Sequence, residues 1–82
     1  MEEITLDAVI EMLEDVKDDV DYANVTALVD DRHLTSLDIL AVIGAIDDEF
    51  DVSVPAKDIV PANFNSAEAI RALIQRLVDE DE

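Results

Sequence analysis

The sequence predicts a small all-α protein, a bundle of three main helices plus a short extra helix. Apolar residues recur at helical spacing in three separate segments. Half of the residues are hydrophobic, and only one glycine and two prolines are present, which favours a packed helical fold over a disordered acidic chain. At 82 residues there is room for one modest core, so a single domain over residues 1–82 is expected.

The first helix is predicted from about Leu6 to Asp19. Thr5 is a suitable N-cap, because a threonine hydroxyl can accept a backbone N–H of the first turn. Acidic residues occupy one side of this segment and apolar residues the other, as in an amphipathic helix. The apolar residues are Leu6, Val9, Ile10, Leu13, Val16 and Val20.

A segment of loop character follows from Asp21 to Thr35. It contains Val25, Leu28 and Val29, which we expect to pack against the core. At roughly 15 residues it is longer than most connections, and loops of this length are often functional. A functional site is therefore expected near its end.

The second helix is predicted to begin at Ser36 or Leu37 and to end at Phe50. Its apolar arc is wider than contact with one other helix requires. Two interpretations are compatible: the helix is central to a small bundle, and part of the arc lines a pocket or contacts a partner. The arc consists of Leu37, Ile39, Leu40, Ile43, Gly44, Ile46 and Phe50.

The remainder of the chain is predicted as a connector, short helical turns and a final helix. The segment 51–55 alternates like a strand but is short and ends at a proline, which favours an extended connector. One or two helical turns are expected between Ala56 and Phe64. Asn65 and Glu68 are spaced as a capping box for the last helix, whose acidic tail is expected to fray. The apolar residues of that helix are Ile70, Leu73, Ile74, Leu77 and Val78.

The charge of the chain restricts its partners. There are 22 acidic and five basic residues, and the formal net charge is −17. Nucleic acid is not expected as a partner, because no basic cluster exists to neutralise phosphates. We expect partner proteins with basic docking patches, a monomeric state, and a fold that gains stability with salt or divalent cations.

Other protein classes are disfavoured by composition. Without cysteine there are no disulfides, zinc–thiolate sites or thiol nucleophiles. No segment approaches the roughly 20 apolar residues of a membrane span, and residues 1–4 do not resemble a signal peptide, so a cytoplasmic protein is expected. The acid pairs 30–31 and 47–48 lack the glycine of a calcium-binding loop, and no metal site is expected.

Catalytic residues are scarce. A nucleophile and base would have to be Ser36 and His33, the single histidine, yet hydrolysis also needs an oriented base, an oxyanion hole and a concave pocket. We therefore expect no enzymatic activity and interpret His33 as a surface loop residue. On local spacing alone, Ser36 is a helix N-cap or first-turn residue.

The region around Ser36 resembles the acyl carrier protein family, in which Asp-Ser-Leu begins the second helix and an acidic-Phe segment ends it. The similarity covers about residues 4–77. The matching residues are Thr35-Ser36-Leu37-Asp38 and Asp47-Asp48-Glu49-Phe50-Asp51, then Val54-Pro55, Asn63-Phe64-Asn65-Ser66, Ala69-Ile70 and Leu73.

The resemblance implies an acyl-carrier-protein-like helical bundle that carries 4'-phosphopantetheine on Ser36. A magnesium-dependent phosphopantetheinyl transferase would transfer the group from coenzyme A, and its thiol would hold acyl groups as thioesters for enzymes of fatty acid, polyketide or related biosynthesis. A peptidyl or aminoacyl cargo is a close variant. The residues implied to contact acyl-loading and acyl-processing enzymes are Leu37, Asp38, Ile39, Val42, Asp47, Asp48 and Glu49.

The chain departs from the family pattern at two positions. Thr35 replaces the acid before the serine, which removes a negative charge beside the hydroxyl. His33 replaces a turn glycine and predicts a different loop path, since histidine tolerates positive φ less well. These departures favour an alternative, an unmodified acidic helical interaction module that binds a basic partner.

Overall fold

The helical prediction is confirmed by the computed structural model, which describes residues 3–81. Over that range the chain forms α1 (Leu6–Val16), α2 (Ser36–Phe50), a 3₁₀ turn (Ala56–Asp58), α3 (Pro61–Phe64) and α4 (Ala67–Asp81), and no strand is present. The helix α1 packs against α2 and α4, and the short α3 packs against α4. The result is three main helices with a short extra helix.

A single hydrophobic cluster joins the four α-helices. The long loop between α1 and α2 belongs to it, because Leu28 is fully buried, and Val25 and Val29 are partly buried against it, as predicted. The short α3 is anchored by Phe64, which is also fully buried. Other buried members are Val9 and Leu13 of α1, Val42 and Ile46 of α2, and Ile70 and Ile74 of α4.

The first helix begins as predicted and ends three residues early, at Val16 rather than Asp19. At its start, the Thr5 hydroxyl accepts the Ala8 N–H at 3.2 Å. At its end, Lys17 adopts an extended backbone, and its carbonyl accepts the Tyr22 hydroxyl at 2.6 Å. Acids are unfavourable at a helix C-terminus, so Asp19 and its acidic neighbour are better placed outside the helix.

The second helix and the turns before α4 match the prediction. Thr35 is the N-cap of α2, Ser36 is its first residue, and the helix ends at Phe50. The segment 52–55 has no regular secondary structure, and Pro55 at its end has an extended backbone. The 3₁₀ turn and α3 supply the two short helical turns expected before Asn65.

The predicted cap of α4 is wrong by one residue. The Ser66 hydroxyl, and not Asn65, accepts the Ala69 N–H at 3.0 Å. Asn65 is unavailable as a cap because its side-chain amide is bonded to the long loop. Glu68 does not close a capping box with Asn65; its carboxylate pairs with Arg71 at 2.9 Å.

The acidic tail that was expected to fray is helical through Asp81. Two contacts stabilise this last part of the helix, each between side chains four residues apart: Gln75 Nε2 donates to Asp79 at 3.2 Å, and Arg76 Nη1 contacts Glu80 at 3.1 Å. Such pairs offset part of the unfavourable interaction between acids and the helix dipole.

Candidate functional site

Ser36 lies at the exposed N-terminus of α2, where a capping box fixes the backbone. The Thr35 hydroxyl accepts the Asp38 N–H at 3.3 Å, and the Asp38 carboxylate accepts the Thr35 N–H at 2.9 Å. Thr35 therefore performs the capping role that an aspartate can also perform at this position. The Ser36 side chain is exposed beside this box.

The capping box leaves two backbone donors beside the hydroxyl. The N–H groups of Ser36 and Leu37 have no acceptor among residues 3–81. Together with the positive end of the α2 dipole, these groups favour a negatively charged substituent at the start of the helix.

Asp38 is half-buried and is bonded to groups of its own chain. Its carboxylate is 3.3 Å from Lys17 Nζ, and its side chain is 26% exposed. The hydrogen bond from the Thr35 N–H, together with the bond to Lys17, lowers the pKa of Asp38. Asp38 thus connects the end of α1 to the start of α2, and its charge is compensated locally.

An apolar cleft of about 350 Å³ opens beside Ser36. It lies between α2 and the segment that contains the 3₁₀ turn and α3. Its volume is within the range of roughly 300–1,000 Å³ typical of ligand pockets. Apart from Ser36, its lining is wholly apolar: Val29, Ile39, Leu40, Ile59, Val60 and Pro61.

The surface around this cleft exposes several large apolar side chains. Leu37 is 77% exposed and Leu40 is 61% exposed. On the opposite wall, Ile59 and Val60 are 40% and 42% exposed. Apolar side chains clustered on a charged protein are typical of a surface that contacts a ligand or a partner.

The residues implied as partner contacts fall into different environments. Leu37 is highly exposed, whereas Ile39 is partly buried and lines the cleft. The assignment of Val42 as a partner contact is wrong, because Val42 is fully buried in the core and has no exposed surface. Asp38 is occupied by the internal contacts described above.

Asp47, Asp48 and Glu49 are exposed in the last turn of α2 and form no ion pair within residues 3–81. At 1.5 Å per residue, this acidic turn begins roughly 16 Å from Ser36 along the helix axis. It can therefore attract basic groups of a partner while the other end of the helix stays accessible.

The loop before Ser36 turns at Arg32 and not at His33. Arg32 has a φ of 63°, whereas His33 is not in the left-handed region. The positive φ of this turn therefore falls on Arg32, and His33 needs no left-handed backbone. His33 is exposed, as expected, and no hydrogen bond joins it to Ser36 in the part of the chain that the structure describes.

Asn65 is a site residue that the sequence interpretation missed. Its Oδ1 accepts the N–H groups of Val29 and Asp30 at 3.0 and 3.1 Å, and its Nδ2 donates to the Asp30 carboxylate at 3.2 Å. Its carbonyl accepts the Leu28 N–H at 2.7 Å. Asn65 therefore holds the loop that supplies Val29 to the cleft, over a sequence separation that gives no local signal.

Two further properties concern ligands and membranes. Within residues 3–81, no group of three or more metal-binding side chains is close enough together to hold a metal ion. None of the helices described has both the length and the apolar character needed to cross a bilayer.

Comparison with protein family models, curated proteins and solved structures gave no match. The class of the protein is thus defined by its own fold and site. It is a small acidic helical bundle with an exposed serine at the start of a long helix and an apolar cleft beside that serine.

Proposed function

We propose that the protein is an acyl carrier that holds acyl groups as thioesters on a 4'-phosphopantetheine arm attached to Ser36. It is not itself an enzyme and delivers its cargo to partner enzymes of fatty acid, polyketide or related biosynthesis. One observation carries the proposal: an exposed Ser36 hydroxyl at the first position of α2 opens directly onto an apolar cleft.

The position of Ser36 suits attachment of a phosphodiester. In the transfer, a new bond from Ser36 Oγ to phosphorus replaces the phosphoanhydride bond of coenzyme A. Adenosine 3',5'-bisphosphate leaves, and the hydroxyl proton passes to a base of the transferase. The product carries a negative charge at the helix N-terminus, next to the two unbonded N–H groups of Ser36 and Leu37. Lys17 compensates Asp38, the nearest acid of α2, and so reduces its repulsion of the phosphate.

The cleft suits an apolar cargo on that arm. Because Ser36 is part of the lining, the arm attached to it begins at the cleft. The acyl cargo on the arm can therefore bind in this cleft and needs no second binding site. Apart from Ser36 its lining residues are apolar, so an acyl chain folded back along the arm would be removed from water.

The surface of α2 suits transient partner enzymes. Leu37 and Leu40 give an apolar contact next to Ser36, and the acidic turn at residues 47–49 gives a charged contact about three turns away. A phosphopantetheinyl transferase or acyl-processing enzyme with a basic patch would be steered by the charge and then contact the leucines.

A second candidate is an unmodified interaction module. The exposed Leu37 and Leu40 and the acids at 47–49 need no prosthetic group to bind a basic partner. Thr35, which removes a charge beside Ser36 without loss of the helix cap, favours this alternative.

The test is intact-protein mass spectrometry after incubation with coenzyme A, magnesium and a broad-specificity phosphopantetheinyl transferase. A mass gain of one phosphopantetheine is expected, and Ser36→Ala should abolish it without unfolding the protein, because Thr35 provides the cap. Ser53→Ala is the matched control, since Ser53 is also exposed and lies in the connector. Absence of a gain with several transferases, combined with partner binding that survives Ser36→Ala, would establish the interaction module instead.

A further inference from the structure

The outer wall of the cleft, residues 56–64, is held to the rest of the bundle mainly at its α3 end, which packs against α4. It comprises the 3₁₀ turn and α3, and it supplies Ile59, Val60 and Pro61 to the cleft. Ile59 and Val60 are both more than a third exposed, whereas Phe64 at its end is fully buried. The wall is thus anchored at one end and has little buried apolar surface near its middle.

One ion pair connects this wall to α4. Arg76 Nη2 lies 2.8 Å from Asp58 Oδ1. The other hydrogen bonds of the wall are formed within it or with the adjoining connector: Asn63 Nδ2 donates to the Asp58 carbonyl at 2.8 Å, and the Asp58 N–H donates to the Pro55 carbonyl at 2.9 Å. Within residues 3–81, no other hydrogen bond or ion pair joins residues 56–64 to another element.

The environment of this pair limits its net contribution to stability. The Asp58 side chain is only 13% exposed, and its Oδ2 is buried without a hydrogen-bond partner in the described part of the chain. Desolvation of a carboxylate and an unsatisfied oxygen offset much of the attraction within the pair. If the wall moves outward, Asp58 is hydrated, and Arg76 keeps a partner because Nη1 already contacts Glu80 at 3.1 Å.

We propose that the Asp58–Arg76 pair is a latch that sets the position of the outer wall and so the length of apolar chain that the cleft admits. The cargo role of the cleft rests on the proposed function, whereas the latch is a property of the unmodified chain. When the pair is intact the wall is held toward α4. When it is broken, the 3₁₀ turn and the start of α3 open around the anchored Phe64, and the cleft enlarges.

The first measurement is amide-resolved hydrogen exchange on the unmodified protein. Arg76→Gln should accelerate exchange of the Ile59 and Asn63 amides by about tenfold or more, with exchange in the core of α2 unchanged. Glu80→Gln is the matched control, because it removes the other partner of Arg76 and leaves Asp58 paired. The double variant Asp58→Leu/Arg76→Leu should slow wall exchange, since an apolar pair replaces the desolvated charges.

The second measurement is NMR titration of the same variants with hexanol, octanol and decanol as neutral chain probes. Arg76→Gln should increase the affinity for decanol relative to hexanol by about threefold or more, and Asp58→Leu/Arg76→Leu should decrease it. Wall exchange and decanol preference that are the same in Arg76→Gln, the double-leucine variant and Glu80→Gln would overturn the latch. None of these probes requires modification of Ser36, so the latch and the carrier function fail separately.

Discussion

Asn65 holds the long loop against the junction of α3 and α4, so Asn65→Ala should weaken the fold and loosen one side of the cleft. The substitution removes three side-chain hydrogen bonds, two from the N–H groups of Val29 and Asp30 and one to the Asp30 carboxylate. It leaves the backbone bond from Leu28 to the carbonyl of residue 65 unchanged.

The size of the effect follows from the exposure of these bonds. The two that involve Asp30 are exposed, and the one from the Val29 N–H is partly buried. Each bond contributes roughly 0.5–1.5 kcal/mol net, and exposed bonds fall at the lower end of that range. The partly buried Val29 N–H also loses its acceptor. We therefore expect Asn65→Ala to lower the free energy of unfolding by about 2 kcal/mol.

The assay is urea unfolding followed by circular dichroism. Asn24→Ala is the matched control, because Asn24 makes one exposed bond to Asp21 and its loss should be within about 0.5 kcal/mol of zero. Asn65→Asp keeps the two acceptor bonds but loses the donor and places a second carboxylate at Asp30, so it should also destabilise. Adding Asp30→Asn restores a donor–acceptor pair with reversed direction and should recover much of that loss.

The result that would refute this reasoning is an Asn65→Ala variant as stable as Asn24→Ala. Equal stability of Asn65→Asp with and without Asp30→Asn would show that the bond between these two side chains is not formed in solution.

Four further predictions follow from other features of the molecule. Gly44→Ala should raise the free energy of unfolding by about 1 kcal/mol, measured by urea unfolding. Gly44 lies within α2, and an added methyl would have no atom of another described element within 4 Å. A loss of stability would mean that the space is occupied. Burial and the nearby Asp19 raise the pKa of Tyr22 from 10.0 to about 12, so the stability due to its neutral phenol is complete below pH 10 and is lost as the pH rises through about 12. Phenolate absorbance measures this directly, since Tyr22 is the single tyrosine and tryptophan is absent; a midpoint near 10 before unfolding would contradict it. The melting temperature should rise as the ionic strength increases from about 0.01 to about 0.15 M, because the screening length falls from about 30 to about 8 Å around a chain of net charge −17. A melting temperature independent of salt would exclude a significant role of repulsion between the acidic residues. A broad-specificity transferase should modify Thr35→Asp faster than Thr35→Asn, because both side chains can cap α2 and only aspartate adds a charge beside Ser36. Equal rates would show that the missing charge does not limit recognition by the transferase.

The sequence by itself determined the helical class, most helix boundaries and the location of Ser36. These features depend on interactions between residues three or four positions apart. Thr5 and Thr35 cap the helices that they precede, as a hydroxyl beside free N–H groups should. The same local rule placed Ser36 at the start of a long helix, as its N-cap or a first-turn residue. In the structure Ser36 is the first helical residue and Thr35 is the cap.

Local rules failed where a side chain had a distant alternative. Asn65 has the spacing of a cap, yet its amide is bonded to a loop 35 and 36 residues away. The family resemblance assigned Val42 to a partner contact, although Val42 is fully buried. Helical periodicity gives the width of an apolar face but not which part of it other elements cover.

Only the tertiary structure decided the surroundings of Ser36. The cleft exists because α2, the long loop and the outer wall converge on it, and each contributes residues that have no pattern in common. The internal compensation of Asp38 by Lys17 and the pairing of Asp58 with Arg76 join residues 21 and 18 positions apart. Such contacts depend on how the helices pack around one core, and helical periodicity carries no information about that arrangement.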